Sequence, residues 1–270
     1  MEKFALCLLL FFIGVCQSVW AQSPIETKPI DQIHDTINKP NTNMRTLEEL
    51  INKEDPGWPV VQEWIEKAKN KIEVLPCEKS KAEETLLHTQ VTTRSLMGAV
   101  IYETGGLLVD NGWIRILGSG SEKMKRSLDE WNRGKTFSEY GEPAPYLLVA
   151  DDAIGGFYAI NGGFFGKDAG NIYYFAPDMV QWIPMEMGYS QFLLFCFETD
   201  MDEFYPNLRW KGWQDEVKVL NPDYAYSFVP FLWSREGKDI EEVSRRAIPI
   251  GELYDFNMDL QNTLNNRQSE

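Results

Sequence analysis

Apolar residues recur at two different periods along this chain, and the change of period divides it. Thr46-Leu47-Glu48-Glu49 has the form of a capping box and predicts a short helix. After a Pro56-Gly57 break, Pro59 opens a second helix whose Val60, Val61, Trp64, Ile65 and Ala68 fall three and four apart on one face. Glu78 to Gln90 and Thr93 to Tyr102 also read as helical, the latter stopped by Gly105-Gly106. From Leu107 the runs become short and β-prone. Leu107–Val109 and Trp113–Leu117 flank Asp110-Asn111-Gly112, a hairpin signal. Glu122 to Asn132 predicts a helix, and Tyr146–Ala150 a strand. Two aromatic runs then flank the Gly/Asn/Asp-rich stretch around Asn161 to Gly170, which predicts a central hairpin. Val180–Ile183 adds a strand, Ser190 caps a helix to Phe197, and Phe204 to Leu264 holds one more strand and one more helix. The expected fold class is α+β: N-terminal helices, then a mostly antiparallel β-sheet with inserted helices.

The first residues change the picture of where the chain works. Met1-Glu2-Lys3 precedes an apolar run from Phe4 to Val15, then Ser18-Val19-Trp20-Ala21 presents small residues where a signal peptidase reads. The run is shorter than the roughly 20 residues of a membrane-spanning helix. A lipoprotein signal acylated at Cys16 fits less well, because Val15 occupies a small-residue position. Residues 1–21 are therefore expected to be a cleaved signal peptide, leaving a periplasmic or extracellular protein with no stable membrane span. Residues 22–43, polar and punctuated by Pro24, Pro29 and Pro40, read as a flexible tether. Residues 44–264 form the expected single domain, and 265–270 a disordered tail. Of the four cysteines, Cys77 and Cys196 survive cleavage; export permits a disulfide, while the apolar run around Cys196 equally suits a buried thiol.

The net charge of −15 argues against nucleic acid as a partner and suits a basic protein. Candidate chemistry is thin. Gly162-Gly163-Phe164-Phe165-Gly166-Lys167-Asp168 imitates a phosphate loop, but its leading glycine is one residue too close and Asp168 replaces the hydroxyl that would hold magnesium. In Gly118-Ser119-Gly120-Ser121 the spacing of a nucleophile elbow is missing, and a tight turn capped by Ser121 is the simpler reading. His34 and His88 are the only histidines, so a zinc site is not expected, nor is a nucleophile–histidine pair. No cofactor signature is present.

Carboxylates and rings remain. Asp151 and Asp152 follow a strand and precede two glycines, with Asn161, Asp168 and Asp178 in nearby turns. Neighbours on a strand point to opposite faces, so the aspartate pair is not one acid/base couple. One of them could partner a distant glutamate as in a glycosidase, but turn formation is the ordinary use. The C-terminal third is crowded with rings, among them Trp210, Trp213, Phe231 and Trp233. Exposed, such rings would bind a sugar face or a protein; buried, they are core.

The stretch from Gly105 to Gly120, Ala150-Asp151-Asp152 with Gly155-Gly156-Phe157, Ala159–Gly163 and Tyr173–Asp178 resembles the signature of the bacterial DUF2625 family. Phe204-Tyr205, Leu208-Arg209-Trp210 and Gly212-Trp213 fit the same pattern, so the resemblance spans roughly 44–259. It implies no catalytic residues. More weakly, the order of hairpin, tyrosine-rich strand, Trp strand and Ser190-Gln191-Phe192-Leu193 is similar to SUKH (SMI1/KNR4-like) domains. That similarity implies a protein-binding module, including the toxin-neutralising immunity type, although export departs from a cytoplasmic immunity role. The leading expectation is an exported, non-catalytic binding domain that takes a basic protein through Asp151, Asp152, Asn161, Asp168, Asp178, Trp210 or Trp213. A secreted carbohydrate-binding or carbohydrate-cleaving protein is the alternative.

Overall fold

The computed structural model describes residues 44–268; the expected signal and tether lie outside the described residues. The helical start follows its sequence signals. Helix α1 (Leu47–Leu50) is held by the capping box, with Thr46 N–H donating to Glu49 at 2.7 Å. Helix α2 (Trp58–Lys67) carries Pro59 in its first turn, where no intrahelical donor is lost. Its expected apolar face is only partly used, since Val61 is buried but Val60 is exposed. Helix α3 (Lys79–Thr89) ends at left-handed Gln90. Helix α4 (Leu96–Glu103) starts later than Thr93, because Ser95 Oγ accepts from Gly98 N–H and fixes the cap there.

Seven strands follow one another across a single antiparallel sheet in the order β1 (Ile72–Leu75), β2 (Gly106–Val109), β3 (Ile114–Leu117), β4 (Tyr146–Asp152), β5 (Phe157–Asn161), β6 (Asn171–Ala176) and β7 (Gln181–Gly188). Both faces of its centre are covered. Helix α6 (Tyr189–Glu198) lies on one face, where Phe192 meets Tyr158, and α9 (Ile250–Gln268) on the other, where Tyr254 meets Phe157. A strand buried on both faces needs no polar alternation, which is why β2 reads as a continuous apolar run and β3 as one broken only by Arg115, whose charge is paired inside. Among the expected strands β1 is missing: it is an edge strand with two exposed positions in four.

Two other expectations are corrected. The helix expected from Glu122 to Asn132 is only α5 (Leu128–Asn132). Tertiary acceptors claim the donors a longer helix would need: Asp223 accepts from Lys125 and Arg126 N–H, and Gly118 O from Leu128 N–H. Ser121 does cap, but it caps a turn, accepting from Lys123 and Met124 N–H. After Phe204 the chain forms more than one strand and one helix. Helix α7 (Met201–Phe204) precedes α8 (Trp213–Val219), and a separate two-stranded sheet of β8 (Tyr224–Val229) and β9 (Ser244–Pro249) packs with α9. Helix α9 runs past Leu264 to Gln268, as a stretch without Pro or Gly after Gly251 allows.

Candidate functional site

Asp151 and Asp152 sit side by side at the end of β4, fully buried and aimed at opposite faces. Asp151 is the register partner of Arg115 on β3, and its Oδ1 lies 3.0 Å from Arg115 Nε, off the hydrogen-bonding line. Arg126 closes the group, with 2.5 Å to Asp151 and 3.0 Å to Asp223. Two guanidiniums thus face two carboxylates and the cluster is neutral. Burial opposes the charge on both arginines. It wins at Arg115, whose pKa falls, whereas Asp151 and Asp223 outweigh it at Arg126, whose pKa rises.

Across the sheet, Asp152 organises a different set. Its Oδ1 accepts from Ile154 and Gly156 N–H, at 3.0 and 2.7 Å, which pins the β4–β5 turn. Its Oδ2 accepts from Tyr174 and Tyr205 hydroxyls at 2.7 and 3.1 Å, and Tyr158 joins them through Tyr205. Burial raises the Asp152 pKa against the pull of these donors, and holds all three phenols well above their usual value. Gly156 is required here: a Cβ would stand 2.3 Å from Asp152 Oδ2 and 2.5 Å from the Tyr174 hydroxyl. The Asp-Asp/Gly-Gly segment is a buried structural joint, with Asp151 and Asp152 both without solvent exposure.

The other sequence-singled residues are spread over three places. Asn161 and Asp168 shape the β5–β6 loop: Asn161 Nδ2 donates to Asp168 at 3.0 Å, and Asn161 Oδ1 accepts from Gly163 and Phe165 N–H. Tyr173 donates to Asp168, and burial together with that carboxylate pushes its pKa up to about 12. Trp210 and Trp213 are buried around Trp113. Arg209 lies 4.1 Å above the Trp213 ring, Arg245 lies 4.3 Å above Trp210, and Trp210 Nε1 donates to Glu216. Of the two readings of these rings, exposed binding faces or core, Trp210 and Trp213 fit core. Asp178 is half-buried, its carboxyl pKa raised by burial, with Lys238 donating to its carbonyl. Cys77 and Cys196 are free thiols. His88 bonds Asp129 at 2.6 Å and stacks on Tyr140.

What the structure does expose is a set of rings that sequence reasoning did not isolate. Phe231, Trp233 and Phe256 are each more than a third exposed, at 38, 37 and 41%. They form a ladder: Trp233 stacks on Phe231 at 5.6 Å between centroids, and Phe231 on Phe256 at 5.4 Å. The ladder borders a shallow, open cleft of about 30 Å³ whose buried floor includes Ile154, Leu253 and Asn257. Asn257 donates to Gly155 O at 3.1 Å, which ties this floor to the Asp152 turn. Phe231 and Trp233 flank buried Leu232 in a turn closed by Ser234 N–H donating to Phe231 O, and no strand or helix periodicity marks such a turn in the sequence.

An α+β domain built on a seven-strand meander, with a buried ionic centre and an aromatic cleft, is the class these features define. A model of a family described as a protein of unknown function, DUF2625, matches residues 47–253, and the chain belongs to that family. An uncharacterized protein of Haemophilus influenzae is 44% identical over 214 residues, spanning 79% of this chain and 94% of its own length. The uncharacterized protein YbfG of Escherichia coli is 42% identical over 220 residues, 82% of this chain and 99% of its own. No solved structure matches.

Proposed function

We propose that the chain is an exported, non-catalytic protein-binding domain that meets its partner through the Trp233–Phe231–Phe256 ladder. The carrying observation is the ladder itself. Three large rings stacked in the open beside a cleft cost solvation free energy unless a partner covers them, and Trp is the side chain most enriched at binding hot spots. The net charge of −15 and the apolar run from Phe4 to Val15 fit the same reading. Asp151 and Asp152, the strongest acid–base candidates of the sequence, are committed to internal partners.

The test is a crosslinked pull-down of the full-length tagged chain under native expression, compared with a Phe231→Ala/Trp233→Ala variant. A stoichiometric partner retained by the wild type and lost by the variant is the expected result; a partner that ignores the variant, or no partner, contradicts it. Sugar binding is a second reading, favoured by the exposed Trp233 face, which could stack on a pyranose. Capture of a neutral oligosaccharide that depends on Trp233 would select it.

A further inference from the structure

Inside this protein, indoles are repeatedly capped by guanidinium groups. Arg126 lies over Trp131, Arg209 over Trp113 and Trp213, and Arg245 over Trp210, at 4.1–4.6 Å. Among the described residues Trp233 has no such cation, although its ring is open to solvent. The helix that supplies Phe256 is acidic around that ring. The segment 230–243 carries Glu236, Asp239, Glu241 and Glu242 against Arg235 and Lys238, and the first ten residues of α9 carry Glu252, Asp255 and Asp259 with no cation. Glu252 and Asp259 stand four residues before and three after Phe256, so they flank that ring on one helical face. Both are exposed and neither forms an ion pair among the described residues.

We infer that the ladder and its flanking carboxylates form a binding site for an arginine-bearing segment of the partner protein. A guanidinium plane lying on Trp233 or Phe231 gains cation–π and stacking contact while its edge N–H groups reach Glu252 or Asp259. The alkyl stem covers ring surface that is otherwise wet. Steering by the negative rim brings a basic segment to the rings and falls off with added salt. This inference rests on the protein-binding reading and specifies its chemistry.

Isothermal titration of the full chain with an octapeptide alternating arginine and glycine tests it, with the glutamate–glycine octapeptide and a neutral hexasaccharide as comparators. One-to-one binding of the arginine peptide is expected, weakened about tenfold by Trp233→Ala and about tenfold by Glu252→Gln/Asp259→Asn. The carboxylate variant leaves every ring and core contact in place, so its effect is separable from misfolding. No binding of the arginine peptide, binding unmoved by both variants, or saturation of the cleft by the hexasaccharide instead would overturn the inference. If the pull-down partner still depends on Phe231 and Trp233 while the arginine peptide is ignored, the basic chemistry fails and the protein-binding reading stands.

Discussion

At the scale of single residues, the molecule's most exacting positions are those of the buried polar joint. Removing one member of a buried ion pair leaves the other charge unpaired, so Asp151→Ala should destabilise by about 3–5 kcal/mol, read as a shift in urea midpoint. Gly156→Ala should cost about 1–3 kcal/mol, because the new methyl group collides with Asp152 and Tyr174 in a turn that Asn257 also holds. Wild-type stability with either variant would mean that the joint relaxes freely. Trp233→Ala, by contrast, removes a partly exposed ring and should shift the midpoint less than either, while weakening binding about tenfold.

At the scale of elements, the buried tyrosines of β5, β6 and α9, with Tyr205 at the end of α7, set a pH limit. Tyr158, Tyr174, Tyr205 and Tyr254 all have phenol pKa values raised by burial. Unfolded tyrosines release their protons near pH 10, whereas the folded ones keep them. Their contribution to stability is therefore complete below about pH 10 and is lost as pH rises above it. Absorbance of phenolate should appear together with loss of circular dichroism in an alkaline titration; full ionisation in a still-folded protein would contradict this. The same elements show what could be read in advance. The α1 capping box and the Asp110-Asn111-Gly112 hairpin were legible because their signals are local. Helix α5 was overestimated because Asp223, about a hundred residues away, takes the backbone donors. The β1 edge strand lacked the burial that would mark it, and β9, Ser-Arg-Arg-Ala-Ile-Pro, hid behind its charge.

At the scale of the whole molecule, charge and ring exposure are the properties that point outward. The sequence showed that rings crowd the last third, but not which of them face solvent: Trp210 and Trp213 are covered by arginines and by Trp113, while Phe231 and Trp233 are left partly outside by a chain that buries the intervening Leu232. Asp151 and Asp152 were recognisable as opposed in direction, whereas their partners Arg115, Arg126, Tyr174 and Tyr205 come from four separate segments that no spacing connects. That the ladder is the contact surface is tested most directly by placing a photoreactive benzoylphenylalanine at position 233, and in a second chain at the exposed Val219, then irradiating each in the native host. A discrete protein adduct at 233 that is absent at 219 is the expected result. Equal adducts at both positions, or none at 233, would contradict it.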